Sequence, residues 1–128
     1  MVWQYPDAEA VMCTLLEQIA PTYTFLPDDW EDMLPVIQVN RVGGGIDADD
    51  VTDTARLQVA VFADDRATVW ALAARIRDAV TQSGGTAPGG VLIDRGSEAI
   101  AGQQVPDIDP DDRRVISTFN LEFRKQNL

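Results

Sequence analysis

At 128 residues the sequence is the length of one ordinary domain, and its 45% hydrophobic content suffices for a core. A net charge of −11 argues against nucleic-acid binding by phosphate neutralisation, and the lack of histidine removes the commonest general base and metal ligand. No apolar run approaches the roughly 20 residues of a membrane-spanning helix, and "MVWQYPDAEAVM" has neither the basic start nor the cleavable apolar region of a signal peptide, which predicts a chain made and kept in a cytoplasm.

The first predicted element is a helix in "YPDAEAVMCTLLEQIAP". Ala8, Val11, Met12, Leu15, Leu16 and Ile19 recur at helical spacing, Asp7 and Glu9 suit the positive end of the dipole, and Pro21 stops the run. Cys13 lies in this pattern as a small core residue. It is the sole cysteine, so no disulfide forms within the chain, and no histidine is present to activate it as a nucleophile. Tyr23 and Phe25 suggest a short strand. The acidic, proline-punctuated stretch that follows reads as a loop with one helical turn. "VIQVNRV" then alternates as a half-buried strand, with Ile37 and Val39 on one face and Gln38 and Asn40 on the other.

"GGGIDADDVTD" is a loop by composition. It leads into "TARLQVAVFA", where Leu57, Val59 and Val61 oppose Arg56, Gln58 and Ala60, so the two strands form a hairpin with a long connection. "DDRATVWALAARIRDAVTQSGG" is the clearest helix: Asp64 or Asp65 caps it, Val69, Leu72, Ala73, Ile76 and Val80 form its buried stripe, and Gly84 and Gly85 end it. "VLIDRGSEAI" reads as a strand bulged near Gly96. After a polar loop, "RRVISTFNLEFRK" closes the chain as a strand with Val115, Ser117, Phe119, Leu121 and Phe123 on one face. Ala60, Phe62 and Ile116 fall on the otherwise polar sides of their strands, a mixed face that suits a subunit contact.

This order predicts an α+β two-layer domain over 1–128. A mainly antiparallel sheet of four to five strands carries two main helices, near 6–20 and 65–83, on one face, with long acidic loops near 27–34, 43–53 and 102–112. The apparent chemical motifs fail on their own terms. "GGGIDADD" lacks the lysine and the following helix of a phosphate loop. "DIDPDDRRVIST" sets Asp107, Asp109 and Asp111 at alternating positions like a calcium loop, but has Asp112 where glycine is needed and Thr118 where a bidentate glutamate is needed. The paired carboxylates lie in predicted exposed loops, and Ser97 lacks the glycines and base of a nucleophile elbow. No cofactor, metal or enzymatic reaction is expected. Trp30, inside an acidic loop, reads either as a core residue or as an anchor for a partner surface.

The helix "PDAEAVMCTLLEQI", the segment "LPDDWEDMLPVIQVNRVGGG", the strand–turn–helix "ARLQVAVFADDRATVWALAARIRDAV" and the closing strand together resemble the tail terminator proteins of long-tailed bacteriophages, particularly those of actinobacteria, also called tail completion or head–tail joining proteins. The resemblance spans nearly the full length and carries no catalytic motif. It implies a small α/β protomer in a homo-oligomeric, hexameric ring on the finished tail tube. The ring stops tube polymerisation and meets the head connector, in a virion assembled in the host cytoplasm. DNA passes such a ring without specific binding, and no membrane is involved. A neighbouring connector of the stopper type is the alternative within the virion, and a cytoplasmic ligand-binding domain the alternative outside it. Candidate ring, tube or lumen residues are Trp30, Glu31, Asp32, Asp47, Asp49, Asp50, Asp53, Arg75, Arg77, Asp107, Asp109 and Asp111, with the helix arginines as electrostatic partners for the acidic loops.

Overall fold

A computed structural model describes residues 2–104 and 113–128. In chain order the elements are β1 (Trp3–Gln4), α1 (Ala8–Leu16), β2 (Thr22–Tyr23), a 3₁₀ turn at Trp30–Asp32, β3 (Val36–Ile46) and β4 (Thr52–Phe62). These are followed by α2 (Arg66–Thr81), a 3₁₀ turn at Pro88–Gly90, β5 (Arg95–Gln103), β6 (Arg114–Arg124) and β7 (Gln126–Asn127). A five-stranded sheet has the order β2-β3-β4-β6-β5, and β1 pairs with β7 in a separate ribbon. Because β4 and β5 are each antiparallel to β6, they run the same way, and α2 carries the chain between them over the inserted strand.

The alternation in the sequence sets the two faces. In β4, Ala55, Leu57, Val59 and Val61 stand opposite Leu121, Phe119, Ser117 and Val115 of β6, and all eight are buried under the helices. Helix α1 contributes Ala8, Val11, Met12 and Leu16, and α2 contributes Val69, Leu72, Ala73, Ile76 and Val80, so both apolar stripes close on one side of the sheet. The α+β layering with both helices on one face is as the sequence predicts.

Asp65 caps α2: its carboxylate accepts from the Thr68 backbone N–H at 2.8 Å and from the Thr68 hydroxyl at 3.1 Å. These hydrogen bonds hold its carboxyl below the usual carboxylate value. A carboxylate with a depressed folded pKa stabilises fully above its unfolded value and loses that contribution as pH falls through the folded one. Asp65→Ala should therefore lower the melting temperature near neutral pH, and the gap from wild type should narrow in melts at about pH 2.5.

Four expectations need correction. First, α1 ends at Leu16 rather than near residue 20. Pro21 cannot donate to the Glu17 carbonyl, and the chain turns instead through Ile19 N–H to Leu16 O at 2.9 Å, with the Glu17 carboxylate accepting from Thr22 N–H at 3.0 Å. Second, β2 pairs with β3 in parallel rather than as a hairpin, because the 24–35 segment, with its 3₁₀ turn, returns the chain to the starting end of β2 before β3 begins.

Third, the glycine-rich segment is strand, not loop: Gly43 to Ile46 belong to β3 and Thr52 and Asp53 to β4. The pairing slips between Arg41 and Gly43, and Gly44 sits at φ 97°, where a Cβ would run into the Thr54 carbonyl. The connection is only the Asp47–Val51 turn, tied by the Asp47 carboxylate accepting from Val51 N–H at 2.8 Å and Thr52 N–H at 3.2 Å. Fourth, β5 is regular at Gly96, which stands opposite Leu121; its irregularities fall between Glu98 and Ile100 and between Ile100 and Gln103.

Candidate functional site

The hairpin end of the sheet combines paired charges with exposed apolar side chains. Arg41 and Asp53 make a two-pronged contact, with guanidinium nitrogens 3.0 and 3.2 Å from the two carboxylate oxygens. Asp53 is only 4% exposed, so it belongs to a sequestered ion pair in β4 rather than to a loop. Asp50 accepts from Lys125 Nζ at 3.3 Å and from the Tyr5 hydroxyl at 3.1 Å, and Lys125 lies over the Tyr5 ring at 5.4 Å. The Lys125 hydrogen bond, then that of Tyr5, holds the Asp50 carboxyl below its usual value. Arg124 pairs with Asp94 at 3.1 Å. Asp47 is used as the turn cap, and Asp49 is exposed. Around these closed pairs, Val42, Ile46 and Val51 of the hairpin, Leu92, and Val2, Trp3 and Leu128 of the β1–β7 ribbon are exposed. The Gln126 side chain ties Leu92 to the ribbon at both its N–H and its carbonyl.

The opposite end is acidic and aromatic. Trp30 is half-buried, with its ring centroid 4.9 Å from that of Phe62 at an interplanar angle of 56°, and the Arg114 guanidinium lies 6.0 Å from the Phe62 ring centre. These residues with Glu31, Leu34, Ala63 and Arg113 line a 230 Å³ cleft. Trp30 is therefore not a core residue: it packs against Phe62 of β4 and lines the cleft. Asp28, Asp29, Glu31 and Asp32 around it are exposed. The candidates Asp107, Asp109 and Asp111 lie outside the described residues.

The two helix arginines part company. Arg77 pairs with Glu98 of β5 at 2.7 Å within the same protomer, whereas Arg75 is exposed beside the groove between α1 and α2, near Leu15, Ile19 and Asp78. Cys13 is half-buried; burial first, then the carboxylates of Glu9, Glu17 and Asp7, push its thiol pKa up and suppress the thiolate. Among the described residues no His, Cys, Asp and Glu cluster is arranged to hold a metal, and no helix is long and apolar enough to cross a membrane.

The mixed sheet face that the sequence marks at Ala60, Phe62 and Ile116 as suited to a subunit contact also gathers arginines. The sheet face away from the helices carries Arg56, Arg95, Arg114 and Arg124, with Gln38, Asn40, Gln58, Thr118 and Asn120 between them. The signal was present in the alternation of β4 and β6, whose polar sides hold three of these arginines, but neighbouring strands had to be placed before the four became one surface.

Among the described residues the arrangement offers surfaces for protein contact. No curated protein sequence matches the chain. The sequence profile described as phage tail termination protein matches residues 4–128, nearly the whole fold from β1 to β7, and the chain belongs to that family of structural phage tail proteins.

Proposed function

We propose that the chain assembles as a homo-oligomeric ring of six on the completed tail tube, stops tube growth and presents its other side to the head connector. The observation that carries this reading is the dissimilarity of the two ends of the sheet. One end exposes Val2, Trp3, Ile46, Val51 and Leu128 around charges that are already paired; the other exposes Asp28, Asp29, Glu31 and Asp32 around the Trp30 cleft. A subunit standing between two different structures needs two chemically different docking surfaces, and membership of the tail termination family supports that position.

The net charge of −11 supports passage of DNA without retention, since exposed carboxylates repel phosphate. Asp49, exposed at the hairpin turn and without a partner among the described residues, is a candidate to contribute, and Arg75 remains a candidate subunit contact. Asp53 and Arg77 act inside the protomer through Arg41 and Glu98.

The test is deletion in the parent phage, read by electron microscopy of lysates. Loss of a terminator should give headless tails of uncontrolled length. Tails of normal length beside empty or leaking heads would instead assign the chain to a connector.

A further inference from the structure

Helices α1 and α2 both pack on one side of the sheet, and among the described residues no helix covers the other side, which meets the Trp30 turn only at its Phe62 end. The strand register arranges this outer face. Arg56 stands beside Asn120, Gln58 beside Thr118, Ala60 beside Ile116 and Arg95 beside Glu122. Among the described residues its strands carry four arginines and one glutamate, Glu122, in a chain of net charge −11. Arg95 reaches Glu122 only at 3.9 Å, and Arg124 is held by Asp94 at the rim. Among the described residues, Arg56 contacts the Asn120 side chain at 3.4 Å and Arg114 contacts the Phe62 ring, and neither has a carboxylate partner.

The complementary groups are in the 27–32 turn, where the exposed Asp28, Asp29, Glu31 and Asp32 likewise lack cationic partners among the described residues. The turn is pinned at the Phe62 end by the Trp30 contact. Arg56 lies six residues along β4, roughly 20 Å away at strand rise, well beyond ion-pair reach and the roughly 8 Å Debye length. The turn of one protomer therefore cannot neutralise Arg56 at the middle of its own sheet, whereas Arg114 stands at the Phe62 end, in the cleft that Glu31 also lines.

We propose that the outer sheet face is a subunit–subunit surface whose occupant is the acidic 27–32 turn of an adjacent copy of this chain. The proposal rests on the ring reading above and deepens it. Face and turn are different patches, so the contact is head-to-tail and propagates until a ring closes. Charge fixes register and excludes wrong partners, while Ala60, Ile100 and Ile116 supply apolar area in the same face. A polyanion is disfavoured as the occupant because the remainder of the molecule carries the whole acidic excess.

Crosslinking in assembled tails tests it. Thr54 lies on the outer face eight residues from Phe62, so in a Cys13→Ser background Thr54→Cys and Asp29→Cys in one chain are too far apart for a short bismaleimide to bridge within a protomer. Purified tails carrying both changes should give a ladder of covalent multimers, and tails carrying either alone should not. Tails of normal length with no ladder overturn the proposal while leaving the terminator reading intact; a deletion phage with normal tails overturns that reading instead.

Charge exchange gives an independent readout. Arg56→Glu with Arg95→Glu, both remote from the turn of their own protomer, should reduce terminated tails roughly ten-fold, and adding Asp28→Arg with Asp29→Arg should restore them. A loss that this exchange does not restore, accompanied by arginine-dependent binding of double-stranded DNA to the isolated chain, assigns the face to nucleic acid and overturns the proposal.

Discussion

Gly96→Ala should destabilise the protein by about 3 kcal/mol, at the upper end for overpacking, because the added methyl meets backbone. Gly96 is buried in β5 opposite Leu121, and a Cβ there would run into the Val80 carbonyl and the Ser83 hydroxyl at the C-terminal end of α2. That end is fixed: Val80 is fully buried, and its carbonyl accepts from both the backbone N–H and the hydroxyl of Ser83. Relief would require lifting β5 from the helix or shifting the helix over Phe119. For a domain of this size the loss corresponds to a fall of roughly 10 °C in melting temperature. Gly45→Ala is the control, since nothing lies within 4 Å of its added carbon. It should be neutral or slightly stabilising, through reduced freedom of the unfolded chain. Equal effects in paired thermal melts would show that the helix–strand approach at Gly96 is looser than described.

Arg41→Leu should cost about 2–3 kcal/mol, and Asp53→Asn less than half of that. The asymmetry follows from exposure. The Arg41 side chain is 36% exposed and can rehydrate when its partner is neutralised, whereas the Asp53 side chain is only 6% exposed. Without the guanidinium, both carboxylate oxygens of Asp53 lose their donors in a place water barely reaches. Urea midpoints for the two variants measure the ratio; equal losses would mean that solvent reaches Asp53 in the folded protein. The pair ties the strand just before the glycines of β3 to β4, while the Arg41 backbone N–H, kept in the variant, donates to the Glu9 carboxylate of α1 at 2.8 Å. Arg41→Leu should accordingly speed amide exchange in Gly43–Ile46 more than in β6.

These two sites also show where reading the sequence reaches its limit. Gly96 was legible as a special position in a strand, but its reason was not: the bulge lies further along β5, and Gly96 instead makes room for a helix end some 13 residues earlier in sequence. Asp53 was grouped with the acidic loop because composition counts aspartates without placing them, while the pairing of Ile46 with Asp53 extends β3 and β4 through the glycines. Arg77 was set aside for a neighbouring subunit because Glu98 has no sequence relation to it; only the passage of α2 over β5 brings them to 2.7 Å. The β1–β7 ribbon and the Tyr5–Asp50–Lys125 cluster gave no local signal, since they join residues from opposite parts of the chain.

What the sequence determined by itself was everything governed by local period. The stripe Val69, Leu72, Ala73, Ile76 and Val80 specifies α2 and its buried side, Asp65 its start, and the alternations of β4 and β6 their inward faces. These patterns depend on neighbours a few residues apart and hold whatever the rest of the chain does. Tertiary structure alone decided the insertion of β6 between β4 and β5, the gathering of four arginines on the face away from the helices, and the distance of Arg56 from the acidic turn. Those depend on strand order and register, which are set by closing one core under two helices, and a single strand's pattern is the same for every order in which it could be paired.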